Sequence, residues 1–261
     1  MPTFVVPSQQ REHNVTILEV CLDDIGGALD AEKAGAHRIE LCAALDTGGI
    51  TPSLGTVSSV LASLTSMTVM VLIRQRGGDF VYSPAEVDAM VADIHSMRDL
   101  PRGEGVTLGF VIGALTPEGT VDSAATAALV EAADVHPVTF HKAFDLVVDH
   151  SAALETLIAV GIARVLTSGG ASSVLEGADV MAALVEQAGE RITILAGGGV
   201  RAHNAQEILS RTGVTELHFR APVEIASNGY QGGASALYDS GSRTVTSPEL
   251  VREMHAAVAP L

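Results

Sequence analysis

The stretch Ile17-Leu18-Glu19-Val20-Cys21 decides the fold once it is set beside Arg38-Ile39-Glu40-Leu41-Cys42. Each is a short apolar run that ends in a polar or small residue and is followed by a helix-like stretch. The same unit recurs at 68–74, 106–112, 137–141, 164–168, 193–196 and 216–219. Eight strand–helix alternations within 261 residues predict an α/β fold, a single-domain (β/α)8 TIM barrel. Such a barrel carries its working residues at the C-terminal ends of its strands. Here those ends hold Glu19 and Cys21, Glu40 and Cys42, Arg74, His141, Thr167 and Ser168, residues 196–199, and His218. Burial of an apolar strand requires none of these polar groups.

Composition narrows the function. The chain is 47% apolar but only 3% aromatic, so its core is built from Ala, Val, Leu and Ile, as barrel interiors are. A net charge of −16 argues against nucleic acid or an anionic membrane as partner. Two cysteines make no disulfide framework and point to a reducing, cytoplasmic setting. Residues 1–14 lack the apolar segment of a signal peptide, and no run of eighteen apolar residues occurs. The expected organisation is a flexible N-terminal arm at 1–15 and one barrel domain at 16–261, with a long loop at 222–247 after strand eight. That loop is rich in Gly, Ala and Ser, and its ordering requires a ligand or a second subunit; Tyr230 and Tyr238 are the expected anchors. A homo-oligomer, dimer or tetramer, is the expected assembly.

Helix signals support this layout. Ser83-Pro84-Ala85-Glu86 offers an N-cap, a proline at the first helical position and an acidic first turn. Ala34-Gly35 and Val160-Gly161 end helices ahead of the next strand.

Strand side chains alternate faces, so Glu19 shares a face with Cys21, and Glu40 with Cys42. With helices outside, that face is the barrel interior. Two carboxylates there require a cation between them, a metal or Arg74, or else one of them holds a proton. Glu19, Glu40, Arg74 and His141 form a candidate catalytic set, with Arg74 as anion clamp and His141 as proton carrier; a structural ion-pair network is the alternative. Cys21 and Cys42 either pack as small apolar groups, bind a soft ion such as Cu(I), or supply a nucleophile served by His141. Arg76 and Asp145 lie in the loops after strands three and five, as ligand contacts or loop ties. Thr167, Ser168, Gly197, Gly198 and His218 complete the candidate ligand-binding set. The glycine clusters either expose N–H groups to an anion or serve sharp turns. The ligand is a small molecule or a metal ion.

Several phrases together resemble the CutC family: Leu-Glu-Val-Cys from Leu18, Arg-Ile-Glu-Leu-Cys-Ala from Arg38, Ile-Arg-Gln-Arg-Gly-Gly-Asp-Phe from Ile73, Val-Thr-Phe-His-Lys-Ala-Phe-Asp from Val138, and Ala-Gly-Gly-Gly-Val from Ala196. They occur in order across 17–218. The resemblance implies a TIM barrel and a role in copper homeostasis, with Cu(I) bound by cysteines that fall on Cys21 and Cys42. It leaves an alternative standing, a barrel enzyme doing acid–base chemistry on a small polar or sugar-derived substrate. Three departures stand out: Gln75 where relatives carry Pro, Arg220 where they carry Ser, and the segment after Ala221.

Overall fold

A computed structural model describes residues 15–229 and 239–259. Strands β1 (Ile17–Leu22), β2 (Arg38–Leu41), β3 (Thr68–Leu72), β4 (Thr107–Ile112), β5 (Val138–Phe140), β6 (Arg164–Thr167), β7 (Thr193–Gly197) and β8 (Glu216–Phe219) are all parallel and follow one another around a closed barrel. β8 pairs with β1, and that closing register sets Glu19 opposite His218. Helices α1 (Ile25–Lys33), α2 (Leu54–Ser63), α3 (Pro84–Met97), α4 (Ser123–Ala133), α5 (His150–Ala159), α6 (Ala178–Ala188) and α7 (Ala205–Thr212) form the outer layer. The expected (β/α)8 barrel is the observed fold.

The core lies between the outward faces of the strands and the helices. Leu18, Val20, Ile39, Leu41, Val69 and Val71 are fully buried there, each burial contributing roughly 1.5–3 kcal/mol. Helices α1 to α5 each start at a side chain that accepts from an otherwise unpaired N–H group. Ser83 and Glu86 form the reciprocal capping box at α3, with Pro84 in the first turn. Gly35 and Gly161 close α1 and α5 at φ 93° and 85°, a region that favours glycine.

The segment after β8 departs from the expected irregular loop. Its two ends pair as antiparallel strands, β9 (Pro222–Ala226) and β10 (Ser242–Thr246), with Val223 opposite Val245. Asp24, the N-cap of α1, also accepts from the amide (3.2 Å) and hydroxyl (3.0 Å) of Thr246. That contact ties the ribbon to the barrel and leads into α8 (Pro248–Val258). Strands of five residues with one short alternation each, surrounded by Gly, Ala and Ser, give too little periodic signal to be read locally. Residues 1–14 of the expected arm, and Tyr230 and Tyr238, lie outside the described residues.

Candidate metal and ligand site at the barrel mouth

The inward side chains form two polar levels. At the lower level Arg38 donates through Nε to Glu19 and through Nη2 to Glu216. Arg164 Nε lies 3.2 Å from the same Glu216 carboxylate. His218 Nδ1 donates to Glu19 Oε1 at 2.7 Å. Burial alone pushes the Glu19 carboxyl up, but Arg38 and then His218 outweigh it and hold its pKa at about 2. Glu19 is therefore a permanent buried anion, the floor on which the upper level rests.

The upper level holds the thiols. β1 and β2 place Cys21 beside Glu40, and Cys42 follows one step beyond β2. The Cys21 and Cys42 sulfurs are 3.9 Å apart. One sulfur from each, and a Glu40 oxygen, all lie within 4.8 Å of one another, a buried set able to hold a metal ion. Met70, Leu72 and Val111 pack around the sulfurs as a small apolar collar. The pair ionises once. A hydrogen bond from Cys42 draws Cys21 down to about 5 against burial, with His218 assisting. The same bond, with burial, pushes Cys42 well above the ordinary thiol range. Burial, and then the charge on Cys21, also pushes Glu40 well above the usual carboxylate range, which favours its protonated form. His218 is the counter-cation. Burial opposes its charge, but hydrogen bonds with Cys21 and Glu19 raise its pKa well above the usual value. Its Nε2 lies 3.7 Å from Glu40.

The cation between the carboxylates is thus His218, not Arg74. Arg74 lies two residues beyond β3, past the Glu40 level, and donates to the carbonyls of Gly48 (3.0 Å), Gly49 (2.9 Å) and Gly78 (2.8 Å). Its guanidinium lies 4.8 Å over the Phe80 ring. His141 stands against the other face of this corner, its ring 4.8 Å from Phe80. Burial, reinforced by the charge on Arg74, pulls its pKa to about 3. That shift favours the neutral imidazole, which suits a hydrogen-bond donor. Its Nδ1 accepts from Ala143 N at 3.1 Å, which puts the ring proton on Nε2. The ring can sit there only because residue 113 is glycine: a Cβ would come within 2.1 Å of His141 Cε1.

A cavity of about 230 Å³ opens between these groups. Cys21, Glu40, Cys42 and His218 line it, together with Phe80, Leu166 and a cationic wall of Arg74, His141 and Lys142; Arg220, two residues after His218, lines the cavity beside Cys21. The remaining expected ligand residues sit apart from it or are spent on the scaffold. Asp145 accepts from Thr167 Oγ1, from Ser168 N (2.9 Å) and Oγ (2.9 Å), and from Gly170 N (3.0 Å). The anion-binding turn after β6 is thus filled by the protein's own carboxylate, and Asp145 ties the loop without touching His141. Gly198, at φ 130°, leaves room for Lys142, whose ammonium lies 3.3 Å from Gly197 O. Arg76 pairs with Asp79 and Glu86 at the exposed rim. Sequence reasoning passed over Arg38, Arg164 and Glu216, which read as ordinary charges at strand starts, and gave no pocket role to Phe80 or Lys142.

Comparison with known proteins agrees with this geometry. The model of the CutC family matches residues 16–222. A family protein CutC from Mesorhizobium japonicum is 46% identical over 216 residues, covering 83% of this chain and 81% of the relative. The mouse copper homeostasis protein cutC homolog is 43% identical over 249 residues, covering 93% and 89%. The crystal structure of CutC from Streptococcus agalactiae superposes with a TM-score of 0.72 at 34% identity, covering 78% of this chain and 98% of that one. The barrel, its paired cysteines and this similarity along most of the chain place the protein in the CutC family.

Proposed function

We propose that the protein binds Cu(I) in copper homeostasis, with Cys21 and Cys42 as ligands. The observation that carries the reading is the pair of buried sulfurs 3.9 Å apart, one of them a thiolate. Two soft sulfurs suit Cu(I), whereas a structural zinc site takes four protein ligands. Charge supports the same ion. Cu(I) replacing the proton on Cys42 leaves the buried charge unchanged; a divalent ion would add a positive charge beside His218 and Arg74. Glu40, an oxygen donor, contributes little to a soft ion and borders the site. The relatives named copper homeostasis proteins add weight. Competition against a chromogenic Cu(I) chelator tests the reading: wild type retains one Cu(I), and the Cys21→Ser/Cys42→Ser variant retains none. Equal retention by the double variant would overturn it.

In this reading the protein works in the cytoplasm, where both thiols stay reduced. Self-association uses the exposed β9–β10 ribbon, whose Val223 and Ile225 are open to solvent; light scattering after gel filtration checks it.

One observation favours a second reading, acid–base chemistry on a small polar substrate. Glu40 lines the cavity 3.7 Å from His218 Nε2, in surroundings that favour its protonated form. Under it, Glu40→Gln would abolish turnover while Cu(I) retention persists.

A further inference from the structure

The cationic wall of the cavity is not explained by a Cu(I) ion. Arg74 is 6% exposed, and among the described residues no carboxylate lies within ion-pair distance of it. Its three hydrogen bonds go to neutral carbonyls, and its Nε is buried without an acceptor. The Nε2 of His141, which carries the ring proton, is likewise buried without an acceptor. Buried donors left unpaired cost roughly 1–3 kcal/mol each, more when charged. Arg220 and Lys142 border the same cavity; Arg220 forms no ion pair among the described residues, and Lys142 is shared with Asp145. The wall thus holds a guanidinium without a carboxylate partner and two unpaired N–H groups, in the same cavity that the two sulfurs line.

We propose that this wall binds the carboxylate of a small organic thiol, which carries Cu(I) into the cavity as its thiolate complex. The delivery step rests on the copper reading; the carboxylate site does not. A carboxylate accepts from several N–H donors at once and supplies the counter-charge that Arg74 lacks. The thiol end of the same molecule then faces Cys21 and Cys42. Transfer is ligand exchange without redox change. The Cys21 thiolate bonds to the copper of a bis-thiolate complex and displaces one thiolate. That thiolate takes the proton from Cys42 and leaves as a thiol. The Cys42 thiolate then bonds to copper and displaces the second thiolate, which leaves as the anion.

Two measurements test this. The Cys21→Ser/Cys42→Ser variant is titrated with propionate and, separately, with ethylamine, following the histidine ring signals by NMR. Saturable shifts with propionate alone are expected; no saturable shift with propionate would overturn the proposal. Stopped-flow transfer of Cu(I) to wild type is compared between 3-mercaptopropionate and cysteamine, which carries an ammonium in place of the carboxylate. Transfer about tenfold or more faster from the carboxylate thiol is expected, with the ratio collapsing towards one in Arg220→Ser and Lys142→Met. A ratio near one in wild type would also overturn it. Failure of the copper reading is distinct, since the protein would then retain no Cu(I) from any donor while the propionate titration still reports on the wall.

Discussion

Cys21 and Cys42 meet although they are out of register: Cys21 is level with Glu40, and Cys42 stands two residues further along the barrel axis. The offset comes from the stagger of adjacent strands in a closed barrel. It brings the two sulfurs to 3.9 Å and leaves a Glu40 oxygen within 4.8 Å of them. It also separates the thiol level from the Glu19 level, where Arg38 and His218 neutralise the carboxylate. The two carboxyl groups are therefore shifted in opposite directions, Glu19 down to about 2 and Glu40 well above the usual carboxylate range.

That difference predicts opposite consequences of neutral substitution. Glu19→Gln removes the anion shared by Arg38 and His218 and leaves buried cations, a loss of about 3–5 kcal/mol. Glu40→Gln resembles the protonated form that burial favours there and changes stability by less than about 1 kcal/mol. Urea denaturation of both variants at neutral pH checks the contrast.

Acid sensitivity follows from Glu19. Its folded pKa of about 2 lies below the ordinary 4.5, so its stabilisation is complete above 4.5 and drains away as pH falls towards 2. The full contribution is about 3 kcal/mol. In wild type the denaturation midpoint should fall over that window; in Glu19→Gln this component should be missing.

Copper uptake should release protons in a fixed pattern. Above pH 5 Cys21 is already a thiolate, so binding expels only the proton on Cys42, one per ion. Below pH 5 two are released, and apparent affinity falls about a hundredfold per pH unit in place of about tenfold. Calorimetry in buffers of different ionisation enthalpy counts these protons.

His218 holds the thiolate in place. His218→Gln removes the imidazolium and should move the Cys21 titration upward, seen as a shift of the ultraviolet thiolate absorbance towards higher pH. A single Cys42→Ser substitution should also raise it, since the hydroxyl is a poorer stabiliser of the neighbouring thiolate than the shared S–H bond.

Much of this arrangement was legible in the residues. Period-two alternation put Glu19, Cys21, Glu40 and Cys42 on one face because each strand is apolar on the other. Closure of the barrel was not local information: the Glu19–His218 contact joins residues 199 positions apart, and no pattern within either strand announces it. For the same reason Arg74, nearer in sequence, was paired with the carboxylates, whereas the stagger carries it above them to the Gly48, Gly49 and Gly78 carbonyls. Asp145 illustrates a different limit. Glycine-rich turns after β6 advertise anion binding, but the sequence does not say that the anion is a side chain of the preceding loop.

The central claim, Cu(I) held by Cys21 and Cys42, is tested most directly by X-ray absorption at the copper edge of the Cu(I)-loaded protein. The account predicts a first shell of two sulfurs. A shell containing only nitrogen and oxygen would contradict it.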